Sequence, residues 1–155
     1  MSDSEKDFKV INTNRKAYFN YQFDEKIEAG ICLLGTEIKA IRAQGCNLQE
    51  SFIRIENGEA WVCQMEIPLY RFGNIQNHEP FRKRKLLLHS REITHLQVET
   101  ERNNLSCIPL RLFIKHGLAK LEIGIGKGKK QQDKRESLRK KSDEREMQRA
   151  VKYRK

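Results

Sequence analysis

Apolar and polar residues alternate in short runs along most of the chain, and the clearest of these runs predict a β-hairpin. Residues 51–56 and 59–63 alternate on either side of Asn57-Gly58. Asn-Gly is a strong hairpin signal because a type I′ turn needs a positive φ at both of its central residues. The pattern therefore predicts two antiparallel strands joined by a two-residue turn.

Two other segments add to the predicted β-structure. Residues 107–115 and 118–125 predict a second hairpin about His116-Gly117, and the apolar run 29–35 predicts a buried strand that ends at Gly35. Many short strands with glycine turns are typical of a small, closed or nearly closed β-barrel. We therefore predict a mainly-β fold, built on a barrel of the oligonucleotide-binding (OB) type.

Short helices are predicted at the periphery of this barrel. Thr36 is a favoured capping residue before residues 37–43, and Glu37 lies in the first turn of that helix. Ser90 is a similar capping residue for a second helix over residues 90–99. The stretch 67–84 contains prolines and a glycine and predicts a loop. We expect two or three short peripheral helices in all.

Charge divides the chain into a body and a tail. The formal net charge of the 155 residues is +10, and residues 127–155 contribute 13 Lys+Arg and 5 Asp+Glu to it. The other 126 residues are close to neutral, at +2. An excess of this size favours an anionic partner, either nucleic acid or an anionic membrane surface.

The tail has few residues that could build a core. Its large apolar residues are Leu138, Met147, Val151 and Tyr153. Such a segment cannot offset the entropy of ordering itself, so we expect it to be disordered when free. Its helix propensity is good, and Met147 and Val151 share one helical face, so we expect it to fold on an anionic surface. A solvated tail that only aids solubility is the alternative.

These patterns predict three segments and exclude several classes. We expect a polar lead over residues 1–13, the barrel over 14–126 and the basic tail over 127–155. No run of eighteen apolar residues exists, and the polar start argues against a signal peptide. The four cysteines form no C-x-x-C pair, which favours reduced thiols in the cytoplasm.

Catalytic and metal-binding motifs are missing from the sequence. It contains no H-E-x-x-H, no G-x-S-x-G and no phosphate loop that ends in Gly-Lys-Ser/Thr. Asp24, Glu25 and Glu28 could bind a metal, but solvated carboxylates at a strand end are far commoner. We therefore predict a protein that is not an enzyme and that uses no cofactor and no metal.

A basic and aromatic stretch, residues 70–85, is the first candidate for RNA binding. Cations neutralise phosphates, rings stack on unpaired bases, and amides bond base edges or 2′-hydroxyls. The candidates are Asn74, Asn77, His78, Arg82, Lys83, Arg84 and Lys85, together with a second cluster at Asn14, Arg15 and Lys16. An ordinary solvated loop is the alternative.

A series of short motifs resembles one protein family. In order, they are Asn14-Arg-Lys-Ala-Tyr, Glu28-Ala-Gly-Ile, Gly35-Thr-Glu-Ile-Lys, Asn47-Leu, Arg84-Lys-Leu-Leu-Leu-His-Ser-Arg-Glu-Ile and Gly126-Lys-Gly-Lys-Lys, followed by Asp133-Lys-Arg-Glu. Together they resemble the SsrA-binding protein (small protein B, SmpB) family, from about Asn12 to the C-terminus. The combination of Arg-Lys-Leu-Leu-Leu with Lys-Gly-Lys-Lys-x-x-Asp-Lys-Arg is specific.

The resemblance implies a function. The family binds the tRNA-like domain of transfer-messenger RNA and delivers that RNA to stalled bacterial ribosomes for trans-translation. Its barrel takes the place of the missing anticodon arm, and its tail becomes helical in the empty message channel beyond the decoding site. The expected partners are transfer-messenger RNA and the ribosome, with one monomer per RNA and no membrane. Another ribosome-associated or single-stranded-RNA-binding OB-type module is the alternative, and an RNA-modifying enzyme is a more distant one.

The resemblance also assigns residues. Asn14, Glu28, Leu88 and Lys120 match positions associated with RNA binding in the family. The tail positions expected on the ribosome are Lys127, Lys129, Lys130, Asp133, Lys134, Arg135, Met147 and Val151. The sequence departs from the family pattern at two places. Gln132 stands where the family usually has an aromatic residue or a histidine before the aspartate. After the first predicted helix the family often has Ala-Gly-Lys, whereas Ala43-Gln44-Gly45 has its glycine one place later and no cation.

Overall fold

One antiparallel sheet and four helices make up the fold. The computed structural model describes residues 8–73 and 76–153. The strands are β1 (Phe8–Thr13), β2 (Tyr21–Ile31), β3 (Phe52–Glu56), β4 (Glu59–Cys63), β5 (Arg84–Leu87), β6 (Ser106–Lys115) and β7 (Leu118–Gly128). The helices are α1 (Arg15–Asn20), α2 (Gly35–Gln44), α3 (Ser90–Glu101) and α4 (Gln131–Tyr153).

The sheet has the strand order β1-β6-β7-β2-β5-β4-β3, and every neighbouring pair is antiparallel. Strand β3 also lies against β6, so the sheet curls on itself as a barrel does. The three shorter helices lie at its periphery. The predicted mainly-β, barrel-like body with short peripheral helices is therefore confirmed.

Both predicted hairpin turns are confirmed by their backbone angles. Asn57 and Gly58 have φ values of 51° and 73°, and His116 and Gly117 have φ values of 52° and 76°. Positive φ at both central residues is the type I′ requirement that the Asn-Gly pair signalled. The two turns fix the register of β3 with β4 and of β6 with β7.

The core lies against the inward face of this sheet. Leu121, Ile123 and Ile125 of β7 are each at most 1% exposed, whereas Lys120 and Glu122, on either side of Leu121, point outward. Leu112 of β6 and Leu86 of β5 belong to the same cluster. Burying these side chains is the main favourable contribution to folding. A second, smaller cluster of Ala17, Ile108 and Leu110 covers part of the opposite face, and the rest of that face is left to build an outer surface.

The predicted polar lead is partly wrong. Residues 8–13 form β1, an edge strand that pairs only with β6 among the strands described. The Arg111 guanidinium lies 5.5 Å from the ring centre of Phe8 and 5.1 Å from that of Phe113, so the strand is held by its outer face as well. The local sequence did not show this strand because its partner lies about a hundred residues away.

Strand β2 and its flanking helices also differ from the prediction. The strand covers Tyr21–Ile31 rather than residues 29–35, because β7 pairs with its polar first half. A register shift lies between Phe23 and Glu25. A Cβ at Gly126 would overlap the Gln22 carbonyl oxygen, so glycine allows this close approach. Helix α1 was not predicted, and α2 starts at Gly35.

The tail begins later than predicted. Lys127 pairs with Gln22 inside the sheet, and the backbone N–H of Lys129 donates to the Asn20 carbonyl at 2.7 Å. Helix α4 then covers Gln131–Tyr153. The structure thus shows a helix where we expected a segment that is disordered when free, and that disorder in free solution stays a prediction. No helix in the described part of the chain is long and apolar enough to span a membrane.

The four cysteines are free thiols in the structure, as expected. Burial raises the pKa of Cys46 and that of Cys107 to about 12. Neither thiol therefore ionises near neutral pH, which is typical of structural rather than reactive cysteines.

Candidate nucleic-acid interface

A groove of about 500 Å³ on the outer face of the sheet brings together residues from four parts of the chain. Glu28 of β2, Lys85 of β5, Leu88 and Lys120 of β7 all line it, and all four were predicted to bind RNA. The β3–β4 turn and the start of α3 form its other walls. This convergence makes the groove the candidate interface.

Strand register explains why these side chains meet. Gly30 pairs with Leu87 on one side and with Lys120 on the other, so the three positions form one row on the outer face. A Cβ on Gly30 would lie only 3.3 Å from the Leu87 Cβ, so the glycine keeps the groove open at that point. Leu86 points inward and Leu87 is 57% exposed, while Leu88 is half-buried at the wall.

The electrostatics of the groove are mixed rather than purely basic. Lys85 Nζ lies 3.2 Å from Glu59 Oε1, and Glu28 stands directly opposite Glu122 in the sheet. Like charges in that position repel, but Arg111 and Lys26 both pair with Glu122. Among the described residues, neither Glu28 nor Lys120 has an ion-pair partner. Both are therefore available to a ligand.

The wall made by α3 adds polar groups that the sequence pattern did not identify. The Glu92 carboxylate accepts a hydrogen bond from the His89 N–H at 3.0 Å and so caps the helix. His89, Glu92 and Ile93 line the groove together with Glu59. His89, Glu92 and Ile93 lie within the family motif of residues 84–93, but nothing in the sequence assigned them to RNA binding, since they meet the other residues through the packing of α3 and the β3–β4 turn.

A buried ion-pair cluster at the start of β5 corrects the prediction for Arg84. Arg84 is 0% exposed; it donates to Glu37 through Nε and to the Met65 carbonyl at 2.6 Å through Nη1. Its Nη2 donates to the Pro80 carbonyl at 3.1 Å. A fully buried side chain whose three nitrogens all donate inside the protein cannot reach a phosphate of RNA. Arg84 instead fixes β5 to α2 and to the loop before β5.

Arg82 belongs to the same cluster. Its Nη2 lies 2.6 Å from Glu37 Oε1, and its side chain is one third exposed. Burial by itself would raise the pKa of Glu37, but hydrogen bonds from Arg82, the Leu34 N–H and Arg84 outweigh it and hold that pKa below its usual range. Glu37 is thus a carboxylate that binds two arginines. Only the exposed third of the Arg82 side chain remains available for the predicted contact with RNA.

Asn14 is also corrected by the structure. Its side-chain NH₂ donates to the Leu48 and Pro109 carbonyls, each at 3.0 Å, and its Oδ1 accepts from the Ala17 N–H at 3.1 Å. Only 3% of the residue is exposed. Asn14 therefore caps α1 and ties it to two distant segments, and no amide group is left for RNA.

His78 and Asn77 hold the loop before β5 rather than face solvent. His78 is 5% exposed, with Nδ1 at 3.0 Å from Thr36 Oγ1 and Nε2 at 3.0 Å from the Ile67 carbonyl. Asn77 accepts from the Tyr70 N–H and donates to the Tyr70 carbonyl. In this conformation both side chains are engaged inside the protein, and their predicted contacts with RNA stay predictions. Asn74 lies outside the described residues.

The other predicted cations of the body are exposed. Arg15 and Lys16 line a separate cavity of about 200 Å³ at the start of α1, where Lys16 also pairs with Glu50. Lys83 lies 2.7 Å from Glu56 Oε2 and 4.7 Å above the ring centre of Trp61. These residues are accessible to phosphate, but they do not line the groove.

Most predicted tail residues lie in or near α4. Lys127 and Lys130 are exposed, and Lys129 Nζ donates to Ser137 Oγ at 2.9 Å. Lys134 is half-buried, Arg135 is exposed and Met147 is 72% exposed. Asp133 and Val151 are positions of the helix. The motif Asp133-Lys-Arg therefore occupies the first turn of α4.

Comparisons with known proteins identify relatives of this chain. Residues 11–153 match the family model described as SmpB protein. An SsrA-binding protein of Ligilactobacillus salivarius is 46% identical over 152 residues, covering 98% of this chain and 98% of that protein. One of Carboxydothermus hydrogenoformans is 51% identical over 146 residues, covering 94% and 98%.

A solved structure agrees as well. A solved chain described as "tmRNA-SmpB: a journey to the center of the bacterial ribosome" superposes on this chain with a TM-score of 0.66 and is 38% identical to it in sequence. The match covers 84% of this chain and 94% of that one. With a family model that spans nearly all of the described residues and relatives near 50% identity, this chain belongs to the SmpB protein family.

Proposed function

We propose that this protein binds the tRNA-like domain of transfer-messenger RNA and delivers that RNA to stalled bacterial ribosomes for trans-translation. The observation that carries the proposal is the convergence of Glu28, Lys85, Leu88 and Lys120 on one groove. These are residues that the family resemblance assigned to RNA binding or that the basic stretch suggested. The SsrA-binding relatives and the tmRNA-SmpB structure support the choice of RNA.

The groove suits a folded RNA. In this proposal the Lys120 and Lys85 ammonium groups bind phosphates, and the Glu28 carboxylate accepts from a base amino group or a 2′-hydroxyl. Leu87 and Leu88 offer apolar surface against a ribose or base. Because the groove is lined by carboxylates as well as lysines, binding depends on where each group of the RNA falls as well as on its total charge.

Replacing one lysine tests the groove. Lys120→Gln keeps most of the side chain but removes the charge, and we expect the dissociation constant for transfer-messenger RNA to rise about tenfold, as for loss of a charged hydrogen bond. Lys115→Gln, at the exposed end of the same hairpin, is the matched control and is expected to change it little. Equal effects of the two variants, or generic single strands bound as tightly, would favour the alternative OB-type module.

The tail acts separately from the groove in this proposal. Its basic helix enters the empty message channel of the ribosome, with Lys129 and Lys130 on phosphates and Asp133, Lys134 and Arg135 at the decoding centre. We expect a chain that ends at Lys130 to keep its affinity for transfer-messenger RNA but to lose peptide tagging in a reconstituted stalled-ribosome assay. Loss of both activities to a similar degree would contradict this division.

We further infer that the protein acts without catalysis, in the cytoplasm, as one monomer per RNA. The described residues hold no group of three His, Cys, Asp or Glu side chains placed to bind a metal ion. Purified protein is expected to leave transfer-messenger RNA chemically unchanged on prolonged incubation, as read by mass spectrometry of its nucleosides. Chemical modification of the RNA by the purified protein would instead favour the alternative of an RNA-modifying enzyme.

A further inference from the structure

The outer face of β3, β4 and β5 carries a row of three side chains beside the groove. Arg54 pairs with Trp61, and Trp61 pairs with Lys85, so the three lie side by side across the strands. The neighbouring positions Ala60 and Val62 are fully buried, which confirms that Trp61 points away from the core. Lys85 also lines the groove, so the row continues it.

A third cation, Lys83, completes this surface. Lys83 Nζ lies 4.7 Å above the Trp61 ring centre, within the range of a cation–π interaction. Glu56 accepts from Lys83 at 2.7 Å and lies 3.0 Å from Arg54 Nε, and Glu59 lies 3.2 Å from Lys85. All these side chains are at least one third exposed. Exposed ion pairs contribute little, so a phosphate can replace these carboxylates at small cost.

We propose that Trp61, Lys83, Lys85 and Arg54 form a stacking platform for one unpaired nucleotide of the bound RNA. The base lies on the indole as Lys83 leaves the ring for the adjacent phosphate, and Lys85 and Arg54 hold the backbone on either side. An aromatic ring set among cations on a sheet surface is the arrangement that single-stranded RNA uses. The inference rests on the proposed function, because it takes RNA as the ligand of the neighbouring groove.

RNA fits this surface better than a protein does. Three cations surround the ring against two carboxylates, and each cation reaches solvent. A protein contact of this size would place a desolvated hydrophobic centre around the tryptophan. Here the neighbours of Trp61 in its row, Arg54 and Lys85, are both charged. The surface is therefore suited to a ligand that supplies a flat ring and a phosphate together.

The experiment uses the tryptophan itself as the probe. Trp61 is the only tryptophan in the sequence, so intrinsic fluorescence of the full chain reports on this surface. We expect titration with transfer-messenger RNA to quench the emission along the same isotherm that filter binding measures. Trp61→Leu is expected to weaken binding roughly 5- to 100-fold, the range for loss of one stacked base, and Trp61→Phe to keep most of the affinity.

The outcomes separate the platform from the proposed function. Binding on filters with unchanged emission, and with Trp61→Leu as tight as wild type, would overturn the platform and leave the function standing. Quenching by a short unstructured oligonucleotide without binding of transfer-messenger RNA would support the platform and overturn the function. Quenching by a protein partner but by no RNA would overturn the platform. Because the unaltered chain carries the probe, a misfolded variant does not decide the result.

Discussion

At the residue scale, the run of four cations over residues 82–85 shows how a strand divides a charged sequence. Arg84 and Leu86 point into the core, while Lys85 and Leu87 point outward. The sequence alone suggested four surface cations, because the counterion of Arg84 is Glu37, which lies 47 positions earlier. A run of charged residues predicts an exposed surface only where each charge can reach water. In a strand at the edge of a core, every second side chain of such a run points inward and is buried.

Removing the charge of Glu37 is expected to destabilise the protein strongly. In Glu37→Gln, Arg84 stays buried without a counterion, and breaking a buried pair in this way costs about 3–5 kcal/mol. Urea unfolding of the full chain measures the change. Glu50→Gln breaks the exposed pair with Lys16 and is the matched control, with a midpoint near that of wild type. Equal midpoints for both variants would contradict the role given to Glu37.

The same variant predicts a pH dependence. The folded protein holds the pKa of Glu37 below its usual range, so its contribution to stability is present above the pKa of an unfolded glutamate. That contribution is lost as the pH falls through the lower, folded pKa. The difference in unfolding free energy between wild type and Glu37→Gln is therefore expected to shrink on acidification. A constant difference down to pH 3 would mean that the carboxylate charge does not supply it.

At the element scale, local signals identified the hairpins, and distant partners decided the rest. The β3–β4 turn was predictable because Asn57-Gly58 fits the backbone angles that such a turn needs. Strand β1 and the polar half of β2 were not, since their order comes from pairing with β6 and β7. The groove was predictable only in part. Glu28, Leu88 and Lys120 came from family motifs, whereas Glu59 and Glu92 reach it through packing.

The end of β7 gives a prediction at this scale. A chain that ends at Lys130 keeps the whole of β7 and the bond from the Lys129 N–H to Asn20, so its urea midpoint is expected to match that of the full chain. A chain that ends at Gly126 loses this bond and the pairing of Lys127 and Gly128, which we expect to cost about 1–2 kcal/mol. Equal stabilities for the two truncations would place the boundary back at residue 126.

At the scale of the whole molecule, the late start of the tail changes how charge is distributed. Lys127, Lys129 and Lys130 join the body, which shifts the division from +2 and +8 to +5 and +5. The body is thus more basic than the sequence suggested. It can attract RNA by charge before the groove selects it by shape.

This division predicts the response to salt. The affinity of the full chain for transfer-messenger RNA is expected to fall as salt rises, because phosphate contacts release counterions. If the body makes these contacts, the chain that ends at Lys130 has the same slope of log affinity against log salt. A slope flatter by several units after truncation would show that the tail binds the RNA before the ribosome is met.

The short connection between β7 and α4 also fixes where the tail helix starts relative to the body. Two residues, Lys129 and Lys130, separate the last strand from a helix of 23 residues, which is about 35 Å long when straight. Each residue inserted into this non-helical connection would move the start of the helix by up to about 3.5 Å, whereas each residue added within the helix would lengthen it by about 1.5 Å and turn its tip by about 100°. Once the body is seated, the depth that the tip reaches and the direction that its side chains face are set by the length of this connection.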